Sequence, residues 1–133
     1  MQLWTIDRPE EEDLFQALDV ACGPGLLVCA LAKMVYHATG IDLTPAMLEQ
    51  ASKTQQEQGL SNISWDQGDG TALPYKDAAF NVVTCRFAFH HFPEPLQVLR
   101  EMRRVCRAGG RIVVADSAPA AAKADAFNAS WGL

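Results

Sequence analysis

The segment from Ala17 to Gly25, read together with Asp42, restricts the fold of this chain more than any other part of the sequence. The segment reads ALDVACGPG, an apolar stretch that ends in glycine and proline, and a second apolar stretch ends at Asp42. This order predicts a buried strand, a glycine turn, a helix and a second strand that ends in an acid. The layout is typical of a nucleotide-type cofactor site in an open α/β sheet, because glycine lets the backbone approach a ligand and a carboxylate accepts hydrogen bonds from ribose hydroxyls.

Strand and helix patterns alternate along the rest of the chain. The predicted strands run over about Ala17–Ala21, His37–Asp42, Ile63–Gln67, Phe80–Cys85 and Arg111–Asp116. The predicted helices run over about Leu26–Met34, Pro45–Gly59 (with Thr44 as N-cap) and Pro95–Arg104, and a turn is expected at Ala108–Gly110. The alternation predicts an α/β fold with a Rossmann-like, doubly wound and mostly parallel sheet of about five strands. We expect a single domain over residues 1–133, with a lead-in over 1–16 and an alanine-rich tail over 117–133.

The composition excludes several classes of function. The formal net charge of −5 argues against a nucleic-acid binder, which needs a basic face. The sequence contains no apolar run of membrane-spanning length, and its first residues do not resemble a signal peptide. Its four cysteines are widely spaced and lack metal-ligand spacing, so we expect buried thiols in a reducing compartment rather than a disulfide framework or a metal site. The expected location is cytoplasmic.

A dinucleotide-binding fold is the first alternative for the glycine segment. Its fingerprint requires a third glycine for close packing of helix on strand, but Val28 stands at that position. The segment instead carries Asp19, which repels a pyrophosphate and favours a positively charged ligand. A dinucleotide-dependent oxidoreductase is therefore the less favoured interpretation.

Five segments, in order, resemble the motifs of class I S-adenosylmethionine-dependent methyltransferases. The segments are Asp19–Gly25, Gly40–Leu48, Gly68–Tyr75, Phe80–Phe92 and Leu99–Arg111. Within that class the chain is similar to the type 11 methyltransferases, which include the quinone-biosynthesis C-methyltransferases. The resemblance covers roughly residues 15 to 120 and implies S-adenosylmethionine as the cofactor, with S-adenosylhomocysteine as the product.

The resemblance also implies roles for individual residues. The implied cofactor-binding set is Asp19, Ala21, Gly23, Gly25, Asp42, Leu43, Met47, Asp69, Gly70, Thr71, Arg86 and Phe87. In this set Gly23 and Gly25 form the turn under the methionine moiety, and Asp19 lies near its ammonium group. Asp42 holds the ribose hydroxyls. Leu43 and Met47 pack on the adenine, and Asp69 accepts a hydrogen bond from its exocyclic amine. Arg86 and Phe87 line the methionine end of the cofactor site and the mouth of the substrate pocket.

Simpler structural roles stay open for several of these residues. Met47 also fits the core of an amphipathic helix, and Asp69 also fits an ordinary turn before Gly70. His90 and His91 are weak candidates for a catalytic base. The favoured interpretation is that one of them packs against Phe92 and Pro93 while the other is solvated. No catalytic residue is identified, because methyl transfer depends mainly on proximity and needs little acid–base help.

The chain departs from the family pattern in its length. The family fold has seven strands, with a C-terminal hairpin beside the fifth, whereas this sequence has about five readable strands. The fifth strand then becomes an open edge, and such edges pair with other chains. We therefore expect self-association through this edge, or coverage of it by residues 117–133.

The resemblance implies S-adenosylmethionine-dependent methyl transfer to a small-molecule acceptor, and we expect no nucleic-acid or membrane partner. The alternative is a catalytically incomplete S-adenosylmethionine-binding module, or a fragment, that acts with a partner chain.

Overall fold

A computed structural model describes residues 14–86 and 91–115 of the chain. Its elements follow the alternating order expected from the sequence. They are β1 (Gln16–Val20), α1 (Leu26–Ala32), β2 (His37–Asp42), α2 (Pro45–Gln58), β3 (Ile63–Gln67), β4 (Phe80–Arg86), α3 (Pro95–Val105) and β5 (Cys106–Ala115). None of the helices in these residues is long and apolar enough to cross a membrane.

The strands form one parallel sheet in the order β3-β2-β1-β4-β5. From β1 the chain moves outward through β2 to β3, and it then returns to the other side of β1 for β4 and β5. This reversal is the topological switch of a doubly wound fold, and ligands bind such sheets at the carboxyl ends of the strands near the switch. The expected Rossmann-like α/β architecture is confirmed.

Two apolar clusters hold the helices against the sheet. Along β1, Leu18 and Val20 alternate with Ala17 and Asp19, so successive side chains point to opposite faces. One cluster joins α3 to the sheet and includes Leu18, Val20, Ile41, Val83, Leu99 and Met102. The other comprises Cys22, Val28, Ala32 and Ala38, with Trp65 packed against it. Helix α3 contributes Val98, Leu99, Met102 and Val105 as buried residues, so one face of it packs firmly against the sheet.

Strand β1 and helix α1 both end earlier than the sequence predicts. Ala21 was expected to close the strand, but its φ of 58° is left-handed and breaks the extended backbone, so β1 ends at Val20. Helix α1 ends at Ala32 rather than Met34, because the amides of Lys33 and Met34 donate to the carbonyls three residues back. These bonds span three residues in place of the four of an α-helix, so they form a tight final turn that does not continue the helix.

Strand β5 begins five residues earlier than Arg111, the start expected from the sequence. Phe80 pairs with Cys106 and Val82 pairs with Arg111, so residues 107–110 all lie opposite a single residue of β4. The predicted turn is therefore a bulge inside the strand, with Gly109 in the left-handed region at a φ of 81°. The expected last residue of this strand, Asp116, lies outside the described residues.

Candidate functional site

A cavity of about 340 Å³ lies at the carboxyl ends of β1, β2 and β3. It occupies the end of the sheet at which the switch in strand order predicts a ligand. Its lining comprises Val20, Ala21, Ile41, Asp42, Leu43, Thr44, Gly68, Asp69, Gly70, Thr71, His91, Phe92, Pro93 and Glu94. Three carboxylates and several backbone groups thus surround one space.

Asp42 is the residue that connects the strand ends around this cavity. Its Oδ2 accepts a hydrogen bond from the backbone N–H of Gly23 at 2.8 Å, and its Oδ1 accepts one from the N–H of Thr44 at 2.9 Å. The first bond holds the glycine turn, and the second holds the start of α2. A carboxylate has about four acceptor positions, so two remain after these bonds are made. Asp42 is therefore oriented by the protein and still able to accept two hydroxyls of a ligand.

The two glycines of the turn have different physical roles. Both have left-handed backbone, with φ of 56° at Gly23 and 81° at Gly25. A Cβ added at Gly23 would meet no described atom within 4 Å, so this turn presents open backbone. A Cβ added at Gly25 would come within 2.5 Å of the Trp65 ring and 2.7 Å of the Ala51 Cβ. Gly25 therefore makes room for Trp65, and Gly23 leaves space beside Asp42.

Asp19 lies on β1 next to the turn and is buried, with only 3 % of its surface exposed. Burial raises its pKa to about 6, although the hydrogen bond from Thr84 and the charge of Arg86 both act to lower it. The Thr84 hydroxyl donates to Oδ1 of Asp19 at 2.6 Å. A buried carboxylate with a raised pKa favours a cationic partner, because the partner's charge offsets the cost of desolvation. This is the chemistry expected beside an ammonium group.

Asp69 begins the loop that forms another wall of the cavity. Its Oδ1 accepts a hydrogen bond from the N–H of Thr71 at 2.9 Å, and its carbonyl accepts one from Ala72 at 3.2 Å. The turn role that the sequence left open is thus present, and it still leaves Oδ2 for a further bond. Gly70 lies close to the apolar core, since an added Cβ would meet Val20 at 3.2 Å and Val98 at 3.3 Å. The loop therefore lies directly on the sheet and α3.

The predicted site residues separate into two groups. The cavity brings together Ala21, Asp42, Leu43, Asp69, Gly70, Thr71 and His91. The residues outside its lining are Asp19, Gly23, Gly25, Met47 and Arg86. Of these, Met47 is half-buried on α2. Phe87 and His90 lie outside the described residues.

Sequence reasoning did not identify Pro93 and Glu94 as cavity residues, and it treated Phe92 only as a packing partner. All three line the cavity beside His91, immediately before α3. The available signal was their position after β4, at the same end of the sheet as the other loops. Trp65 was also missed as the residue that Gly25 and Gly40 accommodate.

The four cysteines are free thiols, and three of them are buried. Cys22 lies in the glycine turn, and burial raises its pKa to about 12, with Asp19 and Asp42 acting in the same direction. A thiol with so high a pKa stays protonated near neutral pH and is a poor nucleophile. Cys22 is therefore a packing residue of the turn and not a reactive group.

A second cavity, of about 350 Å³, lies at the opposite end of the strands. Its lining comprises Phe15, Asn81, Arg107, Ala108, Gly109, Gly110 and Arg111. It is formed by the β5 bulge, and its lining contains none of the residues that the resemblance implies for cofactor binding. The chemistry of the motifs is concentrated at the first cavity, although the two cavities are similar in size.

Comparison with known proteins shows which family this chain resembles over most of its length. Residues 18–114 match a family model described as methyltransferase domain. The chain is 37 % identical over 101 residues to the uncharacterized methyltransferase YcgJ of Bacillus subtilis, an alignment that covers 76 % of this chain and 40 % of that protein. It is 36 % identical over 112 residues to a demethylmenaquinone methyltransferase of Halalkalibacterium halodurans, covering 82 % of this chain and 46 % of that protein.

The fold is also similar to a solved structure. The crystal structure of the Bacillus YcgJ protein superposes with a TM-score of 0.75 at 34 % identity, covering 83 % of this chain and 47 % of that one. The chain spans less than half the length of either relative. Residues 18–114, which match the family model, contain β2, β3 and β4 entirely, most of β1 and β5, and the whole of the first cavity.

Proposed function

The chain belongs to the methyltransferase domain family, and on that premise we propose that its cavity binds S-adenosylmethionine for methyl transfer to a small-molecule acceptor. When bound, this cofactor supplies an electrophilic methyl group on a positively charged sulfur. The single observation that carries the proposal is the geometry of Asp42, which is held by two backbone N–H groups and faces the cavity with acceptor positions to spare.

The residues around the cavity fit the chemical groups of this cofactor. Asp42 accepts hydrogen bonds from the two ribose hydroxyls. Leu43, 62 % exposed on the cavity wall, provides an apolar surface for the adenine ring, and Asp69 accepts from its amine. Asp19 and the open backbone at Gly23 receive the methionine end, since a buried carboxylate attracts its ammonium group. The protein's contribution is to orient the methyl donor, and no side-chain base is required for that task.

The experiment that tests this proposal is calorimetric titration of the purified chain with S-adenosylhomocysteine. We expect micromolar binding by the parent chain. Asp42→Asn should weaken it by about tenfold or more, because loss of a buried hydrogen bond to a charged group costs about 1 to 3 kcal/mol. The matched control is Glu49→Gln, which removes a carboxylate that is 72 % exposed on α2 and should leave binding unchanged.

Two results decide between the enzyme and the alternatives. A folded chain that does not bind S-adenosylhomocysteine would overturn the proposal and favour a catalytically incomplete module or a fragment. Binding of NADH without competition from S-adenosylhomocysteine would favour the dinucleotide alternative. The relatives are named as methyltransferases, which supports the enzyme over both. If the chain binds as expected, demethylmenaquinone is the first acceptor to test, with transfer of a labelled methyl group as the readout.

We also propose that the chain self-associates through β5. Among the described residues this strand pairs with β4 on one side only, and Val113 on it is 52 % exposed. An apolar strand with unpaired backbone groups readily adds another strand. Light scattering should give twice the mass of one chain, and Val113→Lys should reduce it, since an edge lysine opposes pairing. A parent chain that stays monomeric at high concentration would contradict this.

A further inference from the structure

The guanidinium of Arg104, on α3, donates hydrogen bonds to the loop that precedes β4 and to a second residue of α3. Its Nη1 donates to the carbonyl of Tyr75 at 2.8 Å and to Asp77 at 2.8 Å, and its Nη2 donates to the carbonyl of Leu73 at 2.9 Å. The remaining bonds, from Nε at 2.7 Å and from Nη2 at 3.0 Å, go to the two oxygens of Glu101. All five N–H groups that arginine offers are therefore engaged.

Glu101, which also lies on α3, binds the same loop. Its Oε1 accepts a hydrogen bond from the N–H of Leu73 at 2.8 Å, so α3 binds both the N–H and the carbonyl of this one residue. The Glu101 side chain is only 13 % exposed, and the bonds from Arg104 hold its pKa below its usual range. The Asp77 side chain is 81 % exposed, so its ion pair contributes little by comparison. The Glu101–Arg104 pair is therefore the main fastening of this loop.

Two further bonds extend the attachment along the loop, which we call the β3–β4 loop (residues 68–79). Gln97 Nε2 donates to the carbonyl of Thr71 at 3.1 Å, and the N–H of Ala78 donates to the carbonyl of Arg104 at 2.9 Å. At its start the loop is fixed to the sheet instead, by a bond of 3.1 Å from the N–H of Gly68 to the carbonyl of Asp42. Asp69 thus lies between an attachment to β2 and an attachment to α3.

We infer that Gln97, Glu101 and Arg104 are positioning residues for the adenine end of the cofactor, an inference that rests on the proposed function. They do not line the cavity. They act on it through the β3–β4 loop, whose position decides where the carboxylate of Asp69 points. Recognition of an exocyclic amine requires an acceptor at hydrogen-bond distance, and the bond weakens steeply when that distance or angle is lost.

The test compares two ligands that differ at one edge of the purine ring. S-adenosylhomocysteine carries the exocyclic amine, whereas S-inosylhomocysteine carries a carbonyl oxygen in its place and a proton on the neighbouring ring nitrogen. The parent chain should bind the first at least about tenfold more tightly, because a carboxylate facing that oxygen is left unpaired. Arg104→Lys keeps the charge but lacks the planar fork of donors, so it should release the loop and reduce this preference to about threefold or less.

The control and the readout separate positioning from simple stability. Arg100→Lys makes the same change on the exposed face of the same helix and should keep the parent's preference. Titrations are made well below the unfolding temperature of each variant, with circular dichroism as the check of folding. A general loss of stability would weaken both ligands equally and leave their ratio unchanged. If Arg104→Lys does not fold, Gln97→Met removes the partly buried hydrogen bond to Thr71 and serves as the second variant, again with a reduced preference expected.

Each outcome decides the matter. Loss of the preference in Arg104→Lys, or in Gln97→Met where the first variant does not fold, supports the inference. An unchanged preference in the folded variant overturns the inference while leaving the proposed function intact. A parent chain that binds both ligands equally also overturns the inference, because Asp69 then does not recognise the amine. A folded parent that binds neither ligand overturns the proposed function and the inference with it.

Discussion

The hydroxyl of Thr84 donates a hydrogen bond of 2.6 Å to Oδ1 of Asp19, and the two residues occupy paired positions on β4 and β1. The bond stabilises the charged form of Asp19, yet burial outweighs it and raises the pKa to about 6. The negative charge of Asp19 is therefore energetically unfavourable in the folded chain. A cationic ligand relieves that cost, so a feature that destabilises the fold favours binding.

We first predict that Asp19→Asn stabilises the chain and weakens cofactor binding. The folded-state pKa of Asp19 lies above its ordinary value of 3.8, so the folded chain binds more protons than the unfolded chain between about pH 4 and pH 6, and stability falls as pH rises through that window. Neutralising the side chain should raise the free energy of unfolding at pH 7 by about 1 to 3 kcal/mol, at about 1.4 kcal/mol for each unit of pKa difference.

Urea denaturation at pH 7 and at pH 4.5 measures this effect. The gain should be full at pH 7 and smaller at pH 4.5, where the parent carboxyl is already protonated in the folded chain. The asparagine oxygen can still accept from Thr84, so the change removes the charge with little loss of packing. A variant that is less stable than the parent at pH 7 would contradict the assigned environment of Asp19.

The second prediction concerns the pH dependence of binding. On the proposed function, the ionised form of Asp19 attracts the ammonium group of S-adenosylhomocysteine, so affinity should fall as pH drops below about 6. Between pH 7.5 and pH 5 we expect a loss of about tenfold, which corresponds to protonation of one group. Thr84→Val should move the midpoint to higher pH, because the charged form loses its hydrogen bond. Calorimetry across this range tests both statements, and a flat profile in the parent would count against the role of Asp19.

A third prediction compares Gly23 with Gly59. Both have left-handed backbone, with φ of 56° and 66°, and an added Cβ meets no described atom within 4 Å at either position. Alanine should therefore cost each protein a similar amount of stability, on the order of 1 kcal/mol. Gly23→Ala should in addition weaken cofactor binding several-fold, because its side chain enters the space beside Asp42. Equal affinities in the two variants would show that the ligand does not approach Gly23.

The fourth prediction is that Gly25→Ala acts on folding more than on ligand contact. The added methyl group would meet the Trp65 ring at 2.5 Å and Ala51 at 2.7 Å, and overpacking of this kind costs about 1 to 3 kcal/mol in addition to backbone strain. Trp65→Phe in the same chain should recover part of the loss, since the smaller ring leaves room for the methyl group. Thermal unfolding of the single and double variants measures the recovery, and no recovery would place the strain elsewhere.

Local patterns in the sequence were sufficient for the order of elements and for much of the site. The alternation of apolar and polar residues, the proline after Thr44 and the glycine after α2 act over a few residues, so strands, helices and their caps follow from them. Asp42 at the end of an apolar strand was predictable in the same way. Thr44 shows the limit, because it occupies the N-cap position without a side-chain bond and is held by Asp42 instead.

By itself, the sequence determined the α/β alternation, the glycine turn and the acid that closes β2. Only the tertiary structure decided that Gly25 accommodates Trp65 and that burial raises the pKa of Asp19. It also decided that Arg104 holds the β3–β4 loop. The physical reason is distance along the chain: period and turn chemistry are encoded by neighbours, whereas burial and hydrogen-bond partners depend on packing. Asp19 and Thr84 are far apart in the sequence and meet only because β1 and β4 lie side by side.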